Sequence, residues 1–158
     1  RRVALVTGAG KRLGRHIALT LAQQGWDVAV HYRTSRAEAE ATANEIRTLG
    51  RQAVVLSADL SDEVAARALP AQAVAELGQL DAVVNSASTF EYDTAATFSY
   101  AMLERHLRAN TAPAIVLAQC LAEHVAQRGV QGAGAAPARQ HRRTYPAGPG
   151  PAHAPRHT

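Results

Sequence analysis

Short β-branched or apolar runs alternate with Ala-rich stretches of helical spacing through residues 1–128, and this alternation constrains the fold more than any other feature. Val3–Thr7 reads as a buried strand, Gly8–Leu13 as a loop, and Gly14–Gln24 as a helix with Ile17, Ala18 and Leu21 inward. Gly25 stops that helix, and Asp27–Tyr32 reads as a second strand. A second helix is predicted from about Ser35 to Leu49, with Ser35 and Glu38 in a capping-box pattern and Gly50 at its C-terminal cap. Gln52–Ser57 is a third strand. Ser61-Asp62-Glu63 opens a helical region that Pro70 should kink or split before Gly78. Asp81–Asn85 reads as a fourth strand, and a long helix follows from about Tyr100 to Gln127, with Leu103, Leu107, Ala114, Leu117 and Leu121 inward. Strands separated by helices of ten or more residues argue for a parallel sheet covered on both faces. A doubly wound α/β domain in strand order 3-2-1-4 is expected.

The loop after the first strand is Thr7-Gly8-Ala9-Gly10-Lys11-Arg12-Leu13-Gly14. Glycines between a strand and a helix let backbone N–H groups approach a pyrophosphate at the positive end of the helix. A simple turn is the plainer alternative, since the third glycine lies one residue later than in G-x-G-x-x-G. The end of the second strand, His31-Tyr32-Arg33-Thr34-Ser35, distinguishes the two nicotinamide nucleotides. An NAD site usually places a carboxylate there to hold the ribose hydroxyls. None is present, and Asp27 lies at the wrong end of the strand. Arg33 can pair with a 2′-phosphate through its planar fork and Ser35 can donate a hydroxyl, which favours NADP(H). The alternative is a solvated arginine beside a helix cap.

With these motifs in order, the chain resembles the short-chain dehydrogenase/reductase family, and most of all its pteridine reductase branch. Thr7-Gly8 with Arg12-Leu13-Gly14 is similar to that branch's variant loop, in which Arg stands for the wider family's middle glycine. His31-Tyr32-Arg33-Thr34-Ser35 resembles its NADP-phosphate site. The resemblance implies that Gly8, Lys11, Arg12, Leu13, Gly14, Tyr32, Arg33 and Ser35 bind the cofactor. It further implies adenine contacts from Asp59 and Leu60, and cofactor contacts from Asn85, Ala87 and Ser88 after the fourth strand. Ser88 and Phe90 fall where a flat pterin ring would stack, and Asn110, before Ala112-Pro113, matches the family's active-site asparagine. Asp59 capping a helix, Asn85 pinning a strand end and Phe90 packing a loop are the structural alternatives. A Rossmann-type domain acting on a small-molecule substrate, homo-oligomeric in full-length relatives, is what the resemblance implies.

The departures matter as much. The family's chemistry needs a tyrosine and a lysine four residues later, after a fifth strand. Lys11 is the only lysine, and Tyr145 is followed at the fourth place by Pro149. No fifth strand is expected in these 158 residues either. A pteridine-reductase-like reductase in a truncated or frame-disrupted, inactive copy is one expectation; a non-catalytic nucleotide-binding fragment or pseudoenzyme is the other.

Residues 129–158 differ in kind, with seven Ala, five Gly, five Pro, four Arg and no acid, and are expected to be a disordered tail. The net charge of +4 comes from that tail, because residues 1–128 hold 13 Lys/Arg and 13 Asp/Glu. A nucleic-acid partner is therefore not expected. Cys120 is the only cysteine, so an intramolecular disulfide is excluded, and it reads as core on an apolar helix face. His16, His31, His106 and His124 lack metal-ligand spacing, and no metal is assigned. No run reaches the roughly 18 apolar residues of a membrane span, so neither a membrane partner nor any location but the cytoplasm is expected. Because the chain starts at Arg1 rather than Met, an N-terminal piece is expected to have been removed or never recorded.

Overall fold

The computed structural model describes residues 1–132. Four parallel strands, β1 (Arg2–Val6), β2 (Trp26–Tyr32), β3 (Ala53–Ser57) and β4 (Ala82–Val84), form one sheet in the order β3-β2-β1-β4. Val6 stands beside Val30 and Val84, and Tyr32 beside Ser57, so the C-terminal ends of the strands share one rim. Helices α1 (Arg12–Gln23) and α2 (Arg36–Thr48) cover one face; α3 (Glu63–Leu77) and α5 (Ala112–Gly132) cover the other. Side-chain alternation assigns the strand residues to these layers. Val6, Val28 and Val30 pack with Ala18, Ala43 and Ile46, whereas Val3, Leu5 and Ala29 pack with Leu69, Leu77 and Leu117. The expected strand order and the α/β class are those observed. The tail beyond residue 132 lies outside the described residues, and α5 runs to Gly132, past the boundary expected at residue 128.

Several local expectations are corrected. Pro70 does not split α3, which is continuous from Glu63 to Leu77. The missing N–H costs one helical hydrogen bond, but Pro70 is buried with Ala66, Leu69, Ala73 and Leu77, and that burial holds the helix together. Ser35 makes no cap bond, and the capping box does not form. The Glu38 carboxylate instead reaches back to Lys11 Nζ at 2.8 Å. The long helix is interrupted: α4 (Tyr100–His106) passes through a π-helical turn, Leu107–Thr111, into α5. Leu103, on α4, and Leu107, in the π-helical turn, were expected inward and are about half exposed. Cys120 is half-buried against α3, with its Sγ 3.9 Å from the Arg67 carbonyl, rather than fully in the core.

Ion pairs fasten the layers. Asp27, buried at the start of β2, accepts from Arg1 Nε at 2.6 Å and from the Gln52 N–H at 2.7 Å. Asp81 accepts from the Val3 N–H, Gln79 and Arg128, and so joins β1, β4 and the end of α5.

Candidate functional site: a cleft at the carboxyl rim of the sheet

In an open parallel sheet, ligands bind beyond the strand ends where the strand order reverses. Here that point lies between β1 and β4, and a cleft of about 430 Å³ opens there. Its floor is the first loop. Gly8 has φ +64°, and a Cβ on it would come within 2.9 Å of the Ala87 Cα, so only glycine lets the loop lie against the segment after β4. A Cβ on Gly14 would collide with the Gly8 carbonyl oxygen. Arg12 occupies φ +50°, the only left-handed non-glycine residue among the described residues. That conformation costs a side-chain-bearing residue roughly 1 kcal/mol.

Thr7 ties the floor to the wall. Its buried Oγ1 accepts from the Ser86 and Ala87 N–H groups, both at 3.0 Å. At the start of α1 no side chain caps the helix and no acid occupies its first turn. The first helical bond is from the Arg15 N–H to the Lys11 carbonyl, so the N–H groups of Arg12, Leu13 and Gly14 have no acceptor within the helix. These donors at the positive end of a helix dipole are chemically matched to an anion.

The charged groups of the wall are mostly cationic. Lys11, Arg12 and Arg33 all line the cleft, and Tyr32 and Ser35 line it beside them. No carboxylate stands at the end of β2. Lys11 is paired with Glu38, whose carboxyl is held below its usual range chiefly by that hydrogen bond. Asp59 lines the cleft from β3's side and accepts from the Ser61 hydroxyl at 2.7 Å and the Ser61 N–H at 3.0 Å. Those bonds, with Arg33 nearby, lower its pKa. Asp62, not Asp59, caps α3, through the Val64 N–H at 2.9 Å.

Of the residues singled out from sequence, the cleft brings together Gly8, Lys11, Arg12, Leu13, Gly14, Tyr32, Arg33, Ser35, Asp59, Leu60, Ala87 and Ser88. Asn85, Phe90 and Asn110 are not among its lining. Asn85 is exposed just past β4. Phe90 is 82% exposed and so packs neither a loop nor a pocket among the described residues. Asn110 sits in the π-helical turn, where its carboxamide donates to the Thr89 carbonyl at 2.8 Å and accepts from the Thr89 N–H at 2.7 Å. It therefore pins the segment after β4, and its neighbour Ala109 reaches the cleft.

Beyond their places in the Thr7-Gly8 and His31–Ser35 motifs, no individual role was expected of Thr7 or His31, although a polar residue ending an apolar strand was the available signal. His31 is buried and bridges the first loop and the residue just after β3: the Gly8 N–H donates to Nδ1 at 3.2 Å, and Nε2 donates to the Ala58 carbonyl at 3.1 Å. His106 and His124 likewise accept backbone N–H groups, from Glu91 and Leu80.

Glycine loop, helix N-terminus and strand-end cleft together define an open-sheet α/β domain whose cleft suits an anionic ligand. The sequence pattern of the short chain dehydrogenase family matches residues 2–134. The chain belongs to the short-chain dehydrogenase/reductase family. An uncharacterized oxidoreductase of Methylorubrum extorquens is 34% identical over 128 residues, covering 81% of this chain and 52% of that protein. Versicolorin reductase of Emericella nidulans is 35% identical over 128 residues, covering 81% of this chain and 48% of its own. Among solved structures, a short chain dehydrogenase from Burkholderia cenocepacia in complex with NADP superposes with a TM-score of 0.75 at 35% identity. That superposition covers 78% of this chain and 50% of the other. The chain spans about half the length of these relatives.

Proposed function

We propose that this chain is the NADP(H)-binding half of a short-chain reductase, with hydride transfer to a pterin-like C=N or C=O substrate as the activity of the whole enzyme. The observation that carries the nucleotide choice is the Lys11, Arg12 and Arg33 cluster with Ser35 in one cleft, where no acid ends β2. Ser35's hydroxyl is not used as a helix cap, which leaves it for a ligand oxygen. The unpartnered N–H groups at the start of α1 suit the pyrophosphate, and Asp59 and Leu60 border the place left for adenine. The nicotinamide, when bound, supplies the hydride. Asn110 acts by holding Thr89 and hence the segment carrying Ser88 and Phe90. Phe90, bare on that segment, supports a flat aromatic substrate. The proposed location of the whole enzyme is the cytoplasm.

In these 158 residues no tyrosine is followed four places on by lysine, so no such pair can relay the proton that accompanies hydride transfer. Loss of a positioned acid typically costs about 10²–10⁴ in rate. The chain as written is therefore proposed to bind nucleotide without turnover. An isothermal titration of Arg33→Ala tests the assignment. One charge-assisted hydrogen bond contributes about 1.5–3 kcal/mol, so NADPH should bind roughly tenfold to a hundredfold more weakly, with NADH affinity unchanged. Equal losses for both nucleotides would refute recognition of the 2′-phosphate by Arg33.

A further inference from the structure

His31 fastens the cleft at three points. Its Nδ1 accepts from the Gly8 N–H, its carbonyl accepts from the Ala9 N–H at 2.9 Å, and its Nε2 donates to the Ala58 carbonyl. A carbonyl oxygen only accepts and a backbone N–H only donates, so both ring contacts are met by one neutral tautomer, with the proton on Nε2. We propose that His31 is a positioning residue of the nucleotide cleft: its neutral imidazole locks the Gly8 turn to the end of β3, and protonation unlocks it. An imidazolium carries hydrogens on both nitrogens, so the Gly8 N–H would then face a second donor.

The surroundings favour the neutral ring. Alternation along β2 puts His31 on the sheet face covered by α3 and α5. The charged groups bordering the cleft are Lys11 and Arg12 on the first loop, Arg33 after β2 and Asp59 after β3. On the covering helices, α3 carries Glu63, Arg67 and Glu76, and α5 carries Cys120, Glu123, His124 and Arg128; β1 and β3 carry no charge on their inner residues. None of these hydrogen-bonds to the imidazole; Glu63 pairs with Arg67, and Asp59 is held by Ser61. Burial also lowers the imidazole pKa from 6.5, against the opposing pull of the Ala58 carbonyl. The turn that the lock holds is the one whose Cβ-free approach to Ala87 shapes the cleft floor, so releasing it should disorganise the nucleotide site.

This inference rests on the nucleotide reading of the cleft, and its test separates the two. The amide shift of Gly8, followed by ¹⁵N NMR in the ligand-free 158-residue chain, should titrate with a midpoint below 6.5. That readout needs no variant. In His31→Asn the carboxamide oxygen can still accept the Gly8 N–H but cannot titrate, so the shift should stay level. The affinity for NADPH should fall up to about tenfold more in the native chain than in His31→Asn between about pH 7.5 and 5.5. Comparing the two proteins with one ligand cancels titration of the 2′-phosphate itself, whose pKa lies near 6. A Gly8 amide that ignores pH, or identical pH profiles of NADPH affinity in both proteins, would overturn the proposal. Absence of NADPH binding at every pH would instead overturn the nucleotide reading, and the Gly8 titration would still decide whether the lock exists.

Discussion

Replacing Thr7 by valine keeps the shape of a fully buried side chain and removes one oxygen. That oxygen accepts the Ser86 and Ala87 N–H groups at 3.0 Å each, so the substitution leaves both donors without it. A buried N–H deprived of its acceptor costs about 1–3 kcal/mol. Ser86 and Ala87 are half-buried and water replaces part of the loss, so the lower part of that range applies to each. The pair together should cost about 2–3 kcal/mol, which for a domain of this size lowers Tm by roughly 6–15 °C. Thr7→Ser keeps the acceptor and should lose only about 1 kcal/mol for its methyl group. Urea denaturation of the three proteins, read by circular dichroism, measures these differences. Because Ala87 and Ser88 line the cleft, NADPH affinity should also fall in Thr7→Val and be largely kept in Thr7→Ser. A Thr7→Val protein within about 0.5 kcal/mol of the native one, where ordinary surface substitutions fall, would refute the reasoning.

Arg12→Gly should raise stability by up to about 1 kcal/mol in a thermal melt, because φ +50° no longer strains a side-chain-bearing residue, and weaken NADPH binding through loss of a cation in the cleft. Burial pushes the Asp81 carboxyl up, but hydrogen bonds from Arg128, the Val3 N–H and Gln79 outweigh it and hold the pKa below 3.8. The stability this brings is present above that value and lost as pH falls through the folded-state pKa. Arg128→Ala should therefore cost up to about 1 kcal/mol near neutral pH and progressively less as pH falls below 3.8, measured by urea titration across that range. NADPH oxidation by the purified 158-residue chain with dihydrobiopterin, a quinone or a simple ketone should be undetectable, and robust turnover of any of them would reveal a proton donor other than a Tyr-x-x-x-Lys pair.

The sheet was legible because its information is local: β-branched runs bounded by glycines place β1, β2 and β3 within a residue or two of where they lie. Most of the cleft was legible for the same reason, since Gly8–Gly14 and Tyr32–Ser35 are contiguous segments at strand ends. Long-range partners were not. Ser35 and Glu38 satisfy a local capping pattern, yet the Glu38 carboxylate goes to Lys11, a residue brought close only by the parallel pairing of β1 with β2. Pro70 breaks an isolated helix, but the apolar face it shares with Leu69 and Ala73 is settled by packing on the sheet. Asn110 was singled out by its match to the family's active-site asparagine; that it would sit in a π-helical turn and clasp both backbone groups of Thr89 depends on a loop 21 residues earlier in the chain. The roles of Thr7 and His31 are likewise tertiary, because each bonds to a segment from another strand end.

The cleft is proposed to recognise a phosphate on the 2′ position of an adenosine. Adenosine 2′,5′-bisphosphate and adenosine 5′-monophosphate isolate that element, since neither requires the nicotinamide side of a complete reductase. Calorimetric titration of the chain at low ionic strength should give an affinity at least about tenfold higher for the bisphosphate, with the difference abolished in Arg33→Ala. Equal affinities for the two, or tighter binding of the monophosphate, would contradict the account.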